Sequence, residues 1–218
     1  MVNFKQNYLY LDIVQIFMKT KERIVSKALE LFNEHGIEYV GLRELAAHLG
    51  IRVSNITYYF PTKDHLVNQL SLDLGELNSK TIRKVDRLDM TGFMEMLEKT
   101  FENQTRYRCI LLSFVHLLDQ NPIMAKRYQE TETTRNSTLR ANLCSLQENG
   151  QILLSSENDL AFLVSSLALI ARFWISEAVV SYRQLSPQEQ IRHYLGLVAR
   201  ILLPYATGPG KAALIPYL

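Results

Sequence analysis

Apolar residues recur at helical spacing along almost the whole chain. Ile24, Ala28, Leu31 and Phe32 form one stripe at i, i+4, i+7 and i+8, while Lys21, Glu22, Lys27, Glu30 and Glu34 take the opposite face. The pattern predicts a helix over 20–35 that ends at Gly36, since glycine tolerates the positive φ of a C-terminal cap. Two short helices come next, over 42–49, stopped by Gly50, and over 53–59, stopped at Phe60-Pro61. Thr62 then caps a long helix from Lys63 into the eighties. Further helices are predicted over 91–103, 106–120, 123–148, 158–182 and 187–203. Asn149-Gly150 and Ser186-Pro187 mark two of the breaks. The chain shows neither an internal repeat nor a low-complexity run, and from Gly208 it reads as a tail. The fold class is all-α.

Composition narrows the picture only a little. With 218 residues, 47% hydrophobic and 21% charged, the chain can bury a sizeable core without disulfides or metals. A net charge of +2 means that any basic surface must be local. Cys109 and Cys144 are far apart and read as reduced thiols of a cytoplasmic protein. The five histidines never fall at HxxxH spacing, so no metal and no cofactor is predicted. No secretory signal is visible. The most membrane-like stretch, 160–180, has an uncharged run of 160–171 that is too short to span, with Arg172 and Glu177 immediately beyond. It reads as a helix buried in protein, and no membrane partner is expected. Residues 1–17 fit poorly with the helical segment after them. Met18 opens a self-sufficient start, so they read as an upstream extension or as an extra helix.

Chemistry concentrates in LRELAAHLGIRVSNITYYF, residues 42–60, which has the spacing of a helix-turn-helix. Ala46 is the small residue needed where the second helix meets the third, and Gly50 accepts the left-handed backbone of the turn. Ile51 and Ile56 face Leu45, Leu49 and the stripe on the first helix. Val53, Ser54, Asn55, Thr57, Tyr58 and Tyr59 remain for the surface. A recognition helix reads base edges mainly from its N-terminal part, where Asn pairs with adenine and Arg with guanine.

Residues 20–70 resemble the N-terminal domain of the tetracycline-repressor (TetR) family. The resemblance is carried by ERIVSKALELFNEHG, LRELAAHLGI and NITYYFPTKDHL, above all by Tyr58-Tyr59-Phe60 and the adjoining Pro61, Thr62, Lys63 and Asp64. It implies a homodimeric regulator, usually a repressor, that binds a palindromic operator in double-stranded DNA and responds to a small-molecule effector. Ligand binding would shift the connecting helix, about 63–86, and change the separation of the two reading heads. Carried over by position, Asn55, Tyr58 and Tyr59 contact the operator, with Val53 and Ser54 beside them, while Lys63 and Arg43 are phosphate candidates. Three departures put the operator sequence in doubt. Gly41 replaces the usual hydroxyl cap of the second helix, Arg52 stands where a Ser or Thr often caps the third and could read guanine, and Thr57 replaces a frequent Tyr. Between 18 and 66 seven bases stand against six acids, so affinity should come from a few placed contacts.

The expected division is an extension over 1–18, the DNA-binding domain over 19–66, a ligand-binding and dimerisation domain over 67–205 and a tail over 206–218. Tyr107 to Pro122, with Tyr128 beyond it, is similar to one C-terminal subgroup of the family. Phe93, Phe101, Phe114, His116, Phe162, Phe173 and Trp174 are pocket candidates, although apolar residues at helical spacing are more often plain core. Helices 158–182 and 187–203 are expected to form the dimer interface, because Ser165, Ser166, Ala168 and Ala171 allow close approach. A helical module working only through protein contacts is the competing class. No nucleophile–base pair, phosphate loop or paired carboxylate is readable, so no enzyme is expected.

Overall fold

The computed structural model describes residues 3–81 and 88–218, and the side chains among them apart from 3–18 and 131–133. Helix α1 (Asn3–His35) continues upstream of the predicted start and ends at Gly36, which has φ 94°. Its stripe packs against α2 (Leu42–Leu49) and α3 (Val53–Tyr59), with Ile24, Ala28, Ile56 and Leu45 at most 1% exposed. These three helices are the head. Helix α4 (Lys63–Thr81) leaves it after a three-residue turn. Thr62 accepts a bond from the His65 backbone N–H at 3.4 Å, and Leu66, Val67, Leu70 and Leu74 are buried. The expected continuation of this helix toward Asp86 lies outside the described residues.

The body comprises α5 (Met90–Arg106), α6 (Arg108–Leu112), α7 (Phe114–Gln120), α8 (Pro122–Glu148), α9 (Glu157–Ser181), α10 (Pro187–Leu202) and α11 (Gly208–Leu214). Local chemistry sets most of the boundaries. Asp89 and Asn121 cap α5 and α8 by accepting backbone N–H bonds, while Ser156 with Asp159 and Ser186 with Glu189 form reciprocal capping boxes on α9 and α10. Between them Phe101 stacks on Trp174 at 4.9 Å. The Trp174 indole donates to Gln104 Oε1 at 2.5 Å, and the Gln104 amide donates to the Ala171 carbonyl at 2.9 Å.

Two expectations differ from the structure. The single helix predicted over 106–120 is broken at Tyr107 and Ser113 into the end of α5, then α6, then α7. A residue of the head supports the first break: Asn33 donates to the Arg106 carbonyl at 2.9 Å and accepts from the Cys109 N–H at 3.0 Å. Periodicity cannot register such a partner, because it is 73 or more residues away in sequence. The segment read as a tail is also packed. Thr207 caps α11, Leu214 is fully buried, and Gly210 lies so close to the Gln151 carbonyl that a β-carbon there would sit 2.0 Å from its oxygen. An isolated antiparallel bridge, Ile152 to Ala206, fastens the same segment.

Candidate nucleic-acid interface

The turn between α2 and α3 is built as its sequence requires. Gly50 is left-handed at φ 66°, its N–H bonds the Ala47 carbonyl at 3.1 Å, and Ile51 N–H returns to the Ala46 carbonyl at 3.1 Å. This return puts Ile56 in the core and leaves Ser54, Asn55 and Tyr58 on the outside of α3, Tyr58 being 72% exposed. Arg43 and Arg52 are exposed as well. Val53, Thr57 and Tyr59, expected at the surface, are half-buried. Val53 and Tyr59 flank Ile56 at three-residue spacing and share its packed side. The Tyr59 ring meets Tyr58 edge-on at 5.0 Å, and burial, with a smaller contribution from Tyr58, raises its phenol pKa. Neither Gly41 nor Arg52 supplies a side-chain cap.

Lys63 is turned inward. Its ammonium donates to the carbonyls of Ile37 at 2.5 Å, Val40 at 3.2 Å and Glu38 at 3.4 Å, closing the loop between α1 and α2. That loop also carries Tyr39, 82% exposed between buried Ile37 and Val40. Helical periodicity does not mark Tyr39, because it stands off every stripe. Its one signal is an aromatic residue at a position that the flanking core residues force outward.

The head is tied to the body by polar contacts. Asn33 grips the α5–α6 break, and the Asn121 amide donates to the Asp64 carbonyl at the start of α4, at 3.2 Å. Glu38 faces the α6–α7 junction. Burial raises its pKa, but the Ser113 hydroxyl, its own backbone N–H and the charges of His116 and Lys63 outweigh that and hold the carboxyl below its usual range.

Beside this junction lies a groove of about 670 Å³, lined by Leu111, Leu112, Phe114, Val115, His116, Asp119, Phe173 and Ser176. Of the seven pocket candidates, Phe114, His116 and Phe173 meet here. Phe93, Phe101 and Trp174 are sealed in the core at 2% exposure or less, and Phe162 lies 54% exposed on the outer side of α9. Helical spacing identifies a stripe but not which stripe is covered. Helix α9 is covered on one side only within the single chain. It is long and apolar enough to cross a membrane by length and composition, and 28% of that stretch is buried within the chain. Phe162, Leu169 and Val180 stand exposed along it, with Leu197 on α10. The Cys109 thiol is buried, which pushes its pKa up to about 12. Among the described residues no group of three His, Cys, Asp or Glu side chains could hold a metal ion.

Comparison with known proteins agrees with this architecture. Residues 24–70 match the profile of bacterial regulatory proteins of the tetR family, and residues 76–214 match a second TetR profile, described as bacterial transcriptional repressor. A relative in Bacillus subtilis (strain 168), "Probable HTH-type transcriptional regulator YttP", is 29% identical over 128 residues. Those residues are 59% of this chain and 57% of that protein, so the chain spans a little over half the length of this relative. Among solved structures, a TetR-family transcriptional regulator from Marinobacter aquaeolei VT8 superposes with a TM-score of 0.82 at 20% identity, covering 90% of this chain and 96% of its own. The structure of the SmeT–triclosan complex superposes with a TM-score of 0.63 at 16% identity, covering 87% and 93%.

Proposed function

Because the chain belongs to the tetR family of bacterial transcriptional regulators, we propose that it is an effector-responsive repressor that binds a palindromic operator as a homodimer. The observation that carries the reading is the head itself. A left-handed Gly50 turns α3 so that Ser54, Asn55 and Tyr58 stand clear of a closed apolar core, on a helix whose width fits a major groove. Asn55 is assigned to a base edge, Tyr58 to a phosphate or thymine methyl, and Arg43, Arg52 and Tyr39 to the flanking backbone or groove edge. Lys63 acts one step removed, by fixing the loop that carries Tyr39.

The exposed line Phe162, Leu169, Val180 on α9, with Leu197 on α10, supports dimerisation through these two helices. Half-sites would then be about 34–36 Å apart, or a multiple of that. A relative bound to triclosan and the groove beside α7 support a small-molecule effector. The head over 19–66 and the body from 67 onward are the corresponding functional units, and a cytoplasmic location belongs to the same reading.

The test is a fluorescence-anisotropy titration against DNA from immediately upstream of the protein's own gene, at two salt concentrations, with Asn55→Ala and Tyr58→Ala alongside. Saturable binding that weakens with salt and is lost in the variants supports the reading. No preference over random DNA there, nor in a genome-wide operator screen, overturns it.

A further inference from the structure

The groove beside α7 is apolar with charge of one sign at its edge. Five of its eight lining residues are apolar. Two of them, Phe114 of α7 and Phe173 of α9, meet edge-to-face with ring centres 6.2 Å apart, so both walls contribute aromatic surface. The polar lining is Asp119, His116 and Ser176. Ser176 is already engaged, donating to the Leu111 carbonyl at 3.4 Å. No lysine or arginine is in the lining. The exposed Asp119 carboxylate accepts a bond from the adjoining Gln120 amide and belongs to none of the ion pairs among the described residues. A second carboxylate, Glu38 of the α1–α2 loop, takes a bond from Ser113 next to Phe114 and feels the charge of His116. It is held below its usual range and is therefore an anion at neutral pH. Of the cations nearby, Lys63 is occupied by three carbonyls of the α1–α2 loop, and Arg108 opens α6 one turn before Leu112, outside the lining.

We propose that the effector is a lipophilic cation, an apolar or aromatic body laid against Phe114, Phe173 and Val115 and ending in an ammonium held by Asp119. This rests on the effector-responsive reading above and names the ligand class. An ammonium brings donors and no acceptor, which matches a carboxylate, an acceptor only, whose one side-chain partner is a neutral amide. Aromatic faces carry negative potential, so the two rings accept a cation as readily as an apolar body. An anion in the same place meets repulsion from Asp119 and Glu38. An exposed ion pair contributes little by itself, so the apolar walls supply the affinity and the carboxylate supplies the preference for charge. The volume suits a small amphipathic molecule. The position also suits an effector. Asn33 of the head bonds both sides of the break that opens α6, and Glu38 of the head bonds Ser113 where α6 gives way to α7. A body wedged against Leu111 and Phe114 pushes on the segment that these two head residues hold.

The test is isothermal titration of the full-length protein with three ligands that share one body: 4-phenylbutylamine, 4-phenylbutan-1-ol and 4-phenylbutyrate. The amine should bind about three- to tenfold tighter than the alcohol, and the carboxylate should bind weakest. Asp119→Asn should bring the amine down to the alcohol, and Asp119→Lys should reverse the order of amine and carboxylate. Both changes are at an exposed side chain and leave the core intact. Phe173→Ala should weaken all three ligands alike, and His116→Gln, which removes the one lining group able to become a cation, should bind the amine at least as well as the wild type. The amine should release operator DNA from the wild type at lower concentration than from Asp119→Asn. No binding by the amine, an alcohol or carboxylate that binds as tightly, a preference for the amine that survives in Asp119→Asn, or amine binding that leaves operator affinity unchanged overturns the proposal. A protein that binds operator but not the amine loses this proposal alone; one that binds the amine with the stated preference but no operator keeps the cation site and loses the repressor reading.

Discussion

In the head, Tyr39, Ser54, Asn55, Tyr58, Arg43 and Arg52 are left outside, and the interior is apolar: Ile24, Ala28, Leu45, Ala46, Ile56 and Phe60. The interior of the body is apolar as well, but it also holds two amides, and its surface carries an apolar line. Phe162, Leu169 and Val180 stand at the surface, while the amides of Gln104 and Asn121 are buried at 8% and 1% exposure. The two regions therefore suit opposite partners. A surface of hydroxyls, amides and guanidiniums is made to exchange water for phosphate oxygens and base edges, whereas an apolar line along one helix is made to be covered by another apolar surface. The buried amides are not idle in this scheme. Gln104 fastens α9, which presents the apolar face, to α5 through Trp174 and Ala171, while Asn121 fastens α8 to the start of α4, where the head joins the body.

The largest effect should come from the body's interior. Trp174→Ala removes the ring stacked on Phe101 and leaves the Gln104 amide without its donor, which should cost about 3–5 kcal/mol in urea unfolding. A cost near that of a surface change would mean that the buried amides do not fasten the helices they bridge, and the contrast with the head would lose half its content.

The apolar face comes next. Replacing Phe162 and Leu169 together by arginine should turn the proposed dimer into a monomer in sedimentation at micromolar concentration, without loss of helix by circular dichroism. Operator affinity should fall on the order of 100-fold, because two linked heads gain that much over one. An unchanged dimer would place the partner of the body on a different face. On the head, Asn55→Ala should cost about 1–3 kcal/mol of operator binding and relax preference at one base position. Arg43→Ala should weaken all sequences alike and lower the salt slope by about one. Equal, sequence-independent losses in both variants would make the head a backbone binder rather than a reader.

The helices and turns of the head were legible because their information is local: a stripe at 3.6-residue spacing, glycines at the two positions with positive φ, Gly36 and Gly50, and a proline after the last aromatic. Helices α2 and α3 have the bounds that the sequence predicts. What was not legible depends on partners remote in sequence. The break at Tyr107 is supported by Asn33. The C-terminal helix is positioned by Gln151 and Gly150, the Thr207 hydroxyl donating to the Gly150 carbonyl at 2.6 Å. Lys63 resembles a phosphate anchor by position, yet three carbonyls of the α1–α2 loop surround it. In the groove, Phe114 and Phe93 read alike in the sequence, both aromatic on an apolar stripe. Only the packing of α7 on the rim and α5 in the centre separates them.

The smallest effect concerns the place where the two regions meet. Glu38 belongs to the head, and its carboxylate takes a bond from Ser113 and feels the charge of His116, both on the body. Its pKa in the folded chain is below the ordinary 4.5, so its contribution to stability is present above that value and is lost as pH falls through the lower, folded one. The thermal midpoint of the wild type should therefore fall more between pH 7 and pH 3 than that of Glu38→Gln, by a margin kept small because the side chain is exposed and screened by solvent. Ser113→Ala should reproduce part of the Glu38→Gln behaviour, since it removes the largest of the contacts that lower the pKa. Parallel pH curves for all three proteins would mean that head and body meet without help from this carboxylate. The coupling between them would then fall to the amides of Asn33 and Asn121, which do not titrate, and operator binding should be as insensitive to pH as those amides are.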